Sequence, residues 1–512
     1  MDGPADEMVP AGWRLRADPT ARLLPGAGEP PGGALLIGGA PVRMFRLTRA
    51  GVTTVRAWWA GEPVPGGRGA RVLARRLLDA GIAQPVPEAG AGPAAADVTV
   101  VIPVRNRAAQ LADCLAALRD TSPGLAYGPP VIVVDDGSDD PAAIAAVAAA
   151  AGARLLRRAE NGGPGAARNT GVMVVTTPIV VFVDSDCVPR PGWLDRLLPH
   201  FADPAVGAVA PRIVPHEHSG TWLGRYEGAC STLDMGPREG IVSPGTRVPY
   251  VPTAALVVRT AALGDGFAEE LRAGEDVDLV WRLAAAGWRV RYEPAAAVGH
   301  RHRIRLRPWF TRRAHYGTSA AVLELRHPGS VRPLAISGWT ALAWLAVLAR
   351  RPGAGVLVTA TATALLARRI ALVTGERWPV PEYRPPGVAT WTAWRLAARL
   401  ATRGTLTAGR PIGSAISRTW WPAALPVAVA IPRLRLPLAA LVLAPPVLDW
   451  FDRKPPLDPG RYVAARLLDD IAYSLGVWRG CARQRTVRPL LPLIGPRGRV
   501  GYYRRERAKC RR

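Results

Sequence analysis

Residues 98–183 alternate between short apolar runs and longer segments rich in alanine and polar residues. The apolar runs have the length of buried β-strands, whereas the segments between them have the length and composition of helices. The predicted strands are 98–103, 131–134, 153–156 and 179–183, and the predicted helices are 111–119, 141–151 and 166–175. Strand–helix units repeated with such short connections predict an α/β fold, in which a mostly parallel sheet is covered by helices on both faces.

The regions on either side of this block follow different patterns. In the N-terminal region, short apolar pieces precede an amphipathic segment at 71–80, which ends at a glycine as a helix with a glycine stop would. A linker rich in proline, alanine and glycine follows at 89–96. We therefore expect a small strand-and-helix module at 13–88, an α/β domain at 97–315 and a helical C-terminal region at 316–512.

The C-terminal region contains three apolar stretches, at 334–349, 356–367 and 423–448. The first two are shorter than the ~20 residues that span a bilayer, and arginines and prolines interrupt the third. Interfacial or re-entrant helices and spanning helices are both compatible with this pattern, and a soluble helical domain is the alternative.

The positive charge lies in the same region. Residues 301–512 carry 37 basic and 9 acidic side chains, a net of +28, whereas residues 1–300 carry 29 basic and 31 acidic side chains, a net of −2. This asymmetry indicates a polyanionic partner. Because the charges interleave with apolar segments, we expect an anionic membrane surface and not a nucleic acid. Five scattered cysteines without a Cys-x-x-Cys pair argue against a disulfide framework and a zinc site, which fits the cytoplasmic side of the membrane.

Two acidic residues end the fourth predicted strand. Asp184 and Asp186 follow the apolar run 179–183, at the carboxyl end of a core strand, where open α/β sheets bind ligands. Buried carboxylates are costly unless they are paired, hydrogen-bonded or bound to a metal, so this pair predicts a hard cation that carries phosphate oxygens. The alternative is a turn in which Asp184 or Ser185 caps the following helix.

Two further loops follow predicted strands. Asp135 and Asp136 precede a glycine, and carboxylates there can accept hydrogen bonds from a base N–H or a ribose hydroxyl. The glycine-rich stretch 160–169 leads into a helix, so its backbone N–H groups can approach an anion, and Arg168 adds a donor fork suited to diphosphate. Neither a Walker A sequence nor GxGxxG is present, which argues against a P-loop and a Rossmann dinucleotide site.

Five motifs carry a resemblance to a known family. They are VVIPVRNR from residue 100, VVDDGSDD from 133, ENGGPGAARNTG from 160, FVDSDCVPRPGW from 182 and GEDVDL from 274. In order and spacing they resemble the family 2 glycosyltransferases, and this implies a GT-A nucleotide-sugar-binding fold over the α/β domain.

The same resemblance implies a role for each matching acidic or basic residue. Asp136, or Asp136 together with Asp135, would contact the uracil of a UDP-sugar donor. Arg168 would lie near the diphosphate, and Asp184 would contact the ribose. Asp186 resembles the family's metal-ligating aspartate, and the metal would be Mn²⁺ or Mg²⁺, which neutralises the diphosphate leaving group.

The last motif supplies the expected catalytic base. An acceptor hydroxyl needs a nearby carboxylate to take its proton, and Asp276 matches the base position of the family, whose reaction inverts the anomeric configuration. The alternative is that Glu275 and Asp276 are only helix N-terminal acids favoured by the macrodipole.

Three more residues complete the expected site. His300, after a predicted strand at 292–298, matches a histidine that contacts the metal or the diphosphate, although a lone histidine is more often structural. Pro103 and Arg105, in the first motif, join Glu275 as expected substrate-binding residues.

A more specific resemblance involves the whole arrangement. The N-terminal module resembles the winged-helix peptide-recognition domains of the PqqD type. With the catalytic core and the basic C-terminal region, it resembles the mycofactocin-biosynthesis glycosyltransferases, notably over LLIGGAPVRMFRLTRAG and FVDSDCVPRPGWLDRLLPHFADPAVGAVAPRI. This implies transfer of glucose from UDP-glucose to a peptide-derived redox cofactor or its precursor, building a short β-1,4-glucan. The alternative is a membrane-associated glycosyltransferase of cell-envelope polysaccharide or glycolipid synthesis.

Overall fold

The computed structural model describes residues 8–25, 34–120, 129–217, 220–302, 304–375 and 388–495. Within these residues the chain divides into two compact units. The first unit contains the described residues up to Leu24 and from Leu35 to Ile304. The second unit contains the described residues from Arg305 onwards, together with Pro25 and Ala34. The division of the sequence at 88, 97 and 315 stays a prediction.

The N-terminal part of the first unit is a module of five strands and two helices. These are β1 (Arg14–Ala17), β2 (Arg22–Pro25), β3 (Ala34–Gly38), β4 (Arg43–Leu47), α1 (Arg49–Trp59), α2 (Arg68–Asp79) and β5 (Ala83–Val86). Strand β1 pairs with β5 in antiparallel fashion, and β2, β3 and β4 form a second small sheet. The predicted helix at 71–80 is α2, and the likeness of the module to a winged helix stays a prediction.

This module has its own apolar core. Trp58 of α1, Leu77 of α2 and Leu36 of β3 are fully buried together with Ile82, which follows α2. Helix α1 begins after Thr48, whose hydroxyl accepts a hydrogen bond from the backbone N–H of Gly51 and so caps the first turn.

The rest of the first unit is an α/β domain of nine strands and six helices. These are β6 (Val98–Val104), α3 (Ala108–Asp120), β7 (Val131–Asp136), α4 (Pro141–Ala150), β8 (Arg154–Arg158), α5 (Pro164–Val172), β9 (Ile179–Val183), β10 (Cys187–Pro189), α6 (Trp193–Leu197), β11 (Val206–Pro215), α7 (Trp222–Cys230), β12 (Gly240–Ile241), β13 (Ala255–Arg259), α8 (Glu275–Ala285) and β14 (Arg289–His300).

These strands form one mixed sheet in the order β10-β14-β11-β13-β9-β6-β7-β8, with β12 paired to β14. Strands β9, β6, β7 and β8 are parallel to one another, as the strand–helix pattern predicts. Strand β13 lies antiparallel between β9 and β11, and β10 is antiparallel to β14. The predicted strands and helices at 98–183 are therefore all present, and the sheet continues beyond them with reversed strands.

Burial explains why the central strands are uniformly apolar. Every residue of β9 is fully buried, because neighbouring strands flank it and the apolar core covers it. A strand buried on both faces needs apolar side chains at consecutive positions, which is the run that marks 179–183 in the sequence.

The second unit is helical. It contains α9 (Leu306–Arg326), β15 (Ala335–Ile336), α10 (Gly338–Leu348), α11 (Pro352–Gly375), α12 (Val388–Thr407), α13 (Gly409–Ala415), a π-helical turn (Ile416–Trp420), α14 (Trp421–Ala430), α15 (Arg435–Arg453), α16 (Pro459–Arg483) and β16 (Leu493–Ile494). Helices α9 and α16 lie in close backbone contact at glycines. A Cβ atom on Gly476 would lie 1.9 Å from the carbonyl oxygen of Ala314, so a larger residue there would force the helices apart.

The third apolar stretch of the sequence forms two helical segments, α14 and α15, with a short 3₁₀ turn between them at Pro432–Leu434. The helical stretch Pro432–Arg453 has 22 residues, a mean hydropathy of 1.4 and only 6% of its most apolar window buried. By length and composition alone it could cross a membrane, and it is the one such stretch among the described residues.

Candidate active site

Parallel pairing brings three strand ends to one edge of the sheet. Val104 at the end of β6 is opposite Asp135 of β7, and Val101 is opposite Phe182 of β9. The residues that follow or end these strands therefore lie at one carboxyl edge, the place where open α/β sheets bind ligands.

The two aspartates that end β7 differ in their hydrogen bonding. Asp136 accepts from the Nε of Arg158 at 2.9 Å and from the backbone N–H groups of Gly162 and Gly163 at 2.9 and 2.7 Å. Asp135 is 1% exposed, and its Oδ1 accepts from the N–H of Ser138 at 3.0 Å, while its Oδ2 is buried without a hydrogen-bond partner. Asp136 thus orders the glycine-rich loop, and Asp135 is the one with an acceptor left over for a ligand.

The glycine-rich loop is shaped for this contact with Asp136. Gly163 has φ of 91°, and a Cβ atom on Gly162 would lie 2.2 Å from the guanidinium of Arg158. The N–H groups of these two glycines donate to Asp136, and contact of the loop with an anion stays a prediction.

Arg168, on α5, is buried between two carboxylates. Its side chain is 3% exposed, and its two amino nitrogens donate to Asp184 at 2.6 Å and to Glu275 at 3.1 Å. The guanidinium also lies over the ring of Phe267, 5.3 Å from its centroid. Burial lowers the pKa of Arg168, but the two carboxylates outweigh that effect and raise it, so the residue stays cationic. Arg168 therefore ties the end of β9 to the start of α8.

Asp186 is the better placed of the two aspartates for a metal. His300 is directly opposite Cys187 in the pairing of β10 with β14, and its Nε2 lies 3.7 Å from Oδ1 of Asp186. Arg107, at the start of α3, forms an ion pair with the other oxygen of Asp186. Burial raises the pKa of Asp186, but His300 and Arg107 outweigh burial and hold it below its usual range.

Asp186 and His300 together offer a carboxylate oxygen and an imidazole nitrogen to a metal ion. A carboxylate oxygen and an imidazole nitrogen suit Mn²⁺, and such ions are often held by one or two protein ligands together with substrate phosphates. In the part of the chain that the structure describes, no group of three or more His, Cys, Asp or Glu side chains is placed to hold a metal. The residues present therefore fit a metal shared with a diphosphate.

The expected base lies at the N-terminus of α8. Gly274 precedes the helix with φ of 80°, and Glu275 and Asp276 form its first turn. Asp276 is half-buried, and its Oδ1 accepts from the N–H of Val277 at 2.8 Å. Burial and the neighbouring charge of Glu275 raise the pKa of Asp276 to about 7, although Val277 and Arg168 oppose this. A carboxylate with such a pKa is suited to take a proton near neutral pH.

Asp278, two residues further along α8, belongs to the helix and not to the site. It is fully buried, and it accepts from the Nε of Arg282 one turn later at 2.8 Å. Trp281 is 5% exposed and donates through its indole N–H to the carbonyl of Pro249 at 2.7 Å, so it packs in the protein interior.

The remaining predicted residues lie at the edge of this constellation. Pro103 is buried within β6, where it pairs with Val134, and Arg105 is exposed, with its Nε 3.4 Å from the carbonyl of Gly137. The roles assigned to all of these residues stay predictions. Three residues that contact predicted site residues were not predicted from the sequence, namely Arg107, Arg158 and Phe267. Arg107 could have been predicted from the sequence, because it is the last residue of the first motif, VVIPVRNR.

Comparisons with known proteins identify the family of the chain. The sequence pattern described as Glycosyl transferase family 2 matches residues 99–264. Two pre-mycofactocin glycosyltransferases, from two strains of Mycobacterium tuberculosis, are each 40% identical over 502 residues, which covers 95% of this chain and 98% of theirs. Glycosyltransferase AglE of Haloferax volcanii is 31% identical over 130 residues, or 25% of this chain and 40% of its own.

Among solved structures, a mannosyltransferase of Pyrobaculum calidifontis in complex with GDP-Man and Mn²⁺ matches with a TM-score of 0.37 and 20% identity, covering 63% of this chain and 89% of that one. The full-length match to the mycobacterial relatives means that the N-terminal module and the helical unit, and not only the α/β domain, have counterparts in those proteins.

Proposed function

Because this chain belongs to the family 2 glycosyltransferases and is a glycosyltransferase with a GT-A-like α/β domain, we propose that it transfers glucose from UDP-glucose to pre-mycofactocin. The product is a short β-1,4-glucan on this peptide-derived redox cofactor precursor, made with inversion at the anomeric carbon. The full-length relatives, by their name, support the acceptor. The donor, the linkage and the inversion rest on the family resemblance.

The observation that carries the proposal is the position of Arg168. It joins Asp184, at the end of a central strand, to Glu275, beside the expected base Asp276. A glycosyl transfer needs the donor sugar and the acceptor hydroxyl close to each other. A buried arginine that holds both the proposed donor-binding residue Asp184 and the neighbour of the base Asp276 suits this reaction.

The donor half is built from aspartates. Asp135 carries a buried oxygen without a partner, and the N3–H of uracil would satisfy it. Asp184 is 32% exposed on its side chain, which leaves it accessible to a ribose hydroxyl while Arg168 holds one of its oxygens. In this arrangement Asp136 acts through the glycine-rich loop and not on the nucleotide.

Asp186 and His300 would hold the Mn²⁺ or Mg²⁺, together with oxygens of the diphosphate, and the metal would offset the charge that develops on the leaving group. Arg107 already contacts Asp186, so its guanidinium keeps that carboxylate oriented and ionised. These residues bind and orient the diphosphate, and they leave the proton transfer to Asp276.

The acceptor half depends on Asp276. At neutral pH a good fraction of this carboxylate is ionised, so it can accept the proton of the attacking hydroxyl. Glu275 next to it keeps the pKa high, and Arg168 holds Glu275 in place.

The helical unit is proposed to attach the enzyme to the cytoplasmic side of the cell membrane. Large apolar side chains are widely exposed on it, among them Leu436 at 83%, Leu406 at 70% and Val356 at 69%. Arginines accompany them, for instance Arg433 and Arg435 at the start of the stretch Pro432–Arg453, and would contact anionic headgroups. The N-terminal module is proposed to recognise the peptide part of the acceptor, as the PqqD-like resemblance implies.

The test of the function is an acceptor and donor screen with the full-length protein in detergent. We expect hexose to be added to pre-mycofactocin from UDP-glucose in the presence of Mn²⁺, with little transfer from GDP-mannose and none after chelation of the metal. Asp186→Ala should lose the metal response. Transfer to a lipid-linked sugar but not to pre-mycofactocin would point to the cell-envelope alternative and refute the acceptor assignment.

A further inference from the structure

The N-terminal module and the α/β domain, which share the first compact unit, are joined by a series of polar side-chain contacts. Five of these pair an arginine of one part with a carboxylate or amide of the other. They are Arg75 with Asp203, Arg247 with Asp18, Arg291 with Gln84, Arg289 with Asp79, and Arg16 with Glu239. Arg75, Asp203 and Asp18 are almost fully buried, and buried charges require a fixed partner, so these contacts hold the module in one orientation on the domain.

In this series, Asp18 is held in place by hydrogen bonds from its own module as well as by its partner Arg247. It is 1% exposed, and it accepts from the backbone N–H of Thr20 at 2.9 Å and from the amide of Gln84 at 3.2 Å. Arg247 then donates to both of its oxygens, at 2.9 and 3.1 Å. Burial raises the pKa of Asp18, but these hydrogen bonds outweigh burial and lower it to about 2, so the pair is ionised.

Arg247 lies in a loop, 239–248, that is held together by internal hydrogen bonds. The hydroxyl of Thr246 lies 3.1 Å from the carbonyl oxygen of Ile241 and 2.8 Å from that of Val248. Arg247 itself also donates to the carbonyl of Glu239, at 3.3 Å. The contact of Arg247 with Asp18 therefore ties loop 239–248 to the N-terminal module.

The segment that follows this loop runs between the two halves of the candidate site. At its start, the carbonyl of Pro249 accepts from the indole of Trp281, which lies on the same helix as Asp276. At its end, the carbonyl of Ala254 accepts from the backbone N–H of Asp184 at 2.9 Å. Segment 249–254 is thus hydrogen-bonded at one end to the helix that carries the expected base and at the other end to Asp184, so its position affects both.

We propose that the N-terminal module is a positioning element of the active site, which fixes segment 249–254 through the contact of Asp18 with Arg247. The acceptor is a hydroxyl-bearing molecule that must reach Asp276, so this inference rests on the proposed function for the assignment of that base. Asp18 and Arg247 act through the loop and touch no substrate.

The first test compares Arg247→Gln with Arg289→Gln in the full-length protein. Both variants remove an arginine that binds the module, but Arg289 is not part of the loop. In Arg247→Gln we expect the KM for pre-mycofactocin to rise about tenfold, with hydrolysis of UDP-glucose changed by less than about twofold. Arg289→Gln should leave both unchanged. An equal rise in the two variants, or an unchanged KM in Arg247→Gln, would overturn the proposal.

A second test does not depend on the identity of the acceptor. Hydrogen exchange of the backbone amides of residues 240–254 should speed up in Asp18→Asn and Arg247→Gln, but not in Arg289→Gln, while exchange in strand β9 stays slow. Unchanged exchange in 240–254 would refute the positioning role. Faster exchange in a protein that transfers no sugar to pre-mycofactocin would uphold it and refute the proposed function instead.

Discussion

The raised pKa of Asp276 predicts how the transfer reaction depends on pH. With a pKa of about 7, about a tenth of this carboxylate is ionised at pH 6 and about nine tenths at pH 8, so kcat/KM for the acceptor should rise roughly tenfold over that interval. The direction follows from the role, because only the ionised carboxylate can accept the proton.

The variant Glu275→Gln tests whether the pH dependence of kcat/KM comes from Asp276 or from another titrating group. The substitution removes a negative charge that raises the pKa of Asp276, while the amide oxygen can still accept the hydrogen bond from Arg168. The pKa of Asp276 should fall, and the acid limb of the kcat/KM profile should move to lower pH.

The assay is initial-rate transfer to pre-mycofactocin from pH 5 to 9 at saturating Mn²⁺, with UDP binding measured at each pH as a control. Asp276→Asn should lose about 10²–10⁴-fold in rate and should show no acid limb. A flat wild-type profile, or a limb that stays at the same pH in Glu275→Gln, would refute the assignment of the base.

Three further predictions concern other parts of the molecule. Arg75→Ala leaves Asp203 buried and uncompensated, so it should cost about 3–5 kcal/mol of unfolding free energy, seen as a lower melting temperature, whereas an unchanged melting curve would contradict this. Asp135→Ala should weaken UDP binding about tenfold or more in calorimetry, and equal affinity would exclude a uracil contact. Leu436→Glu should lower the fraction that sediments with anionic vesicles, while Leu325→Glu on α9 should not, and equal sedimentation of both would refute attachment through α15.

The central strands could be predicted because their signal is local. The runs that became β6, β7 and β9 are apolar at nearly every position, and that pattern results directly from burial on both faces of the sheet. The insertion of β13 between β9 and β11 could not be predicted in the same way, since pairing between distant segments leaves no mark within either segment.

The candidate site was predictable as a set of residues but not as a set of contacts. Aspartates after apolar runs indicate a ligand site, yet nothing local distinguishes Asp135, which keeps an open oxygen, from Asp136, which binds the loop. The same limit applies to Arg168. A donor fork at a glycine-rich loop suggests a diphosphate contact, but its partner Glu275 is 107 positions away, and only the folded chain brings the two together.

The contacts of the N-terminal module also change how its role should be tested. Removal of residues 1–90 would be the simplest test of a separable peptide-recognition module. In the structure that deletion would leave Asp203 and Arg291 buried without Arg75 and Gln84, so loss of all activity is expected from misfolding alone. Point variants such as Arg247→Gln are therefore the sharper probe.

The most direct test of the central claim is mass spectrometry of pre-mycofactocin after incubation with UDP-glucose, Mn²⁺ and the full-length protein. The wild type is compared with Asp276→Asn, after a binding measurement has shown that the two proteins have the same affinity for UDP. The account predicts one or more added hexoses with the wild type and an unmodified acceptor with Asp276→Asn in the same time. An unmodified acceptor with the wild type, or equal transfer by Asp276→Asn, would contradict it.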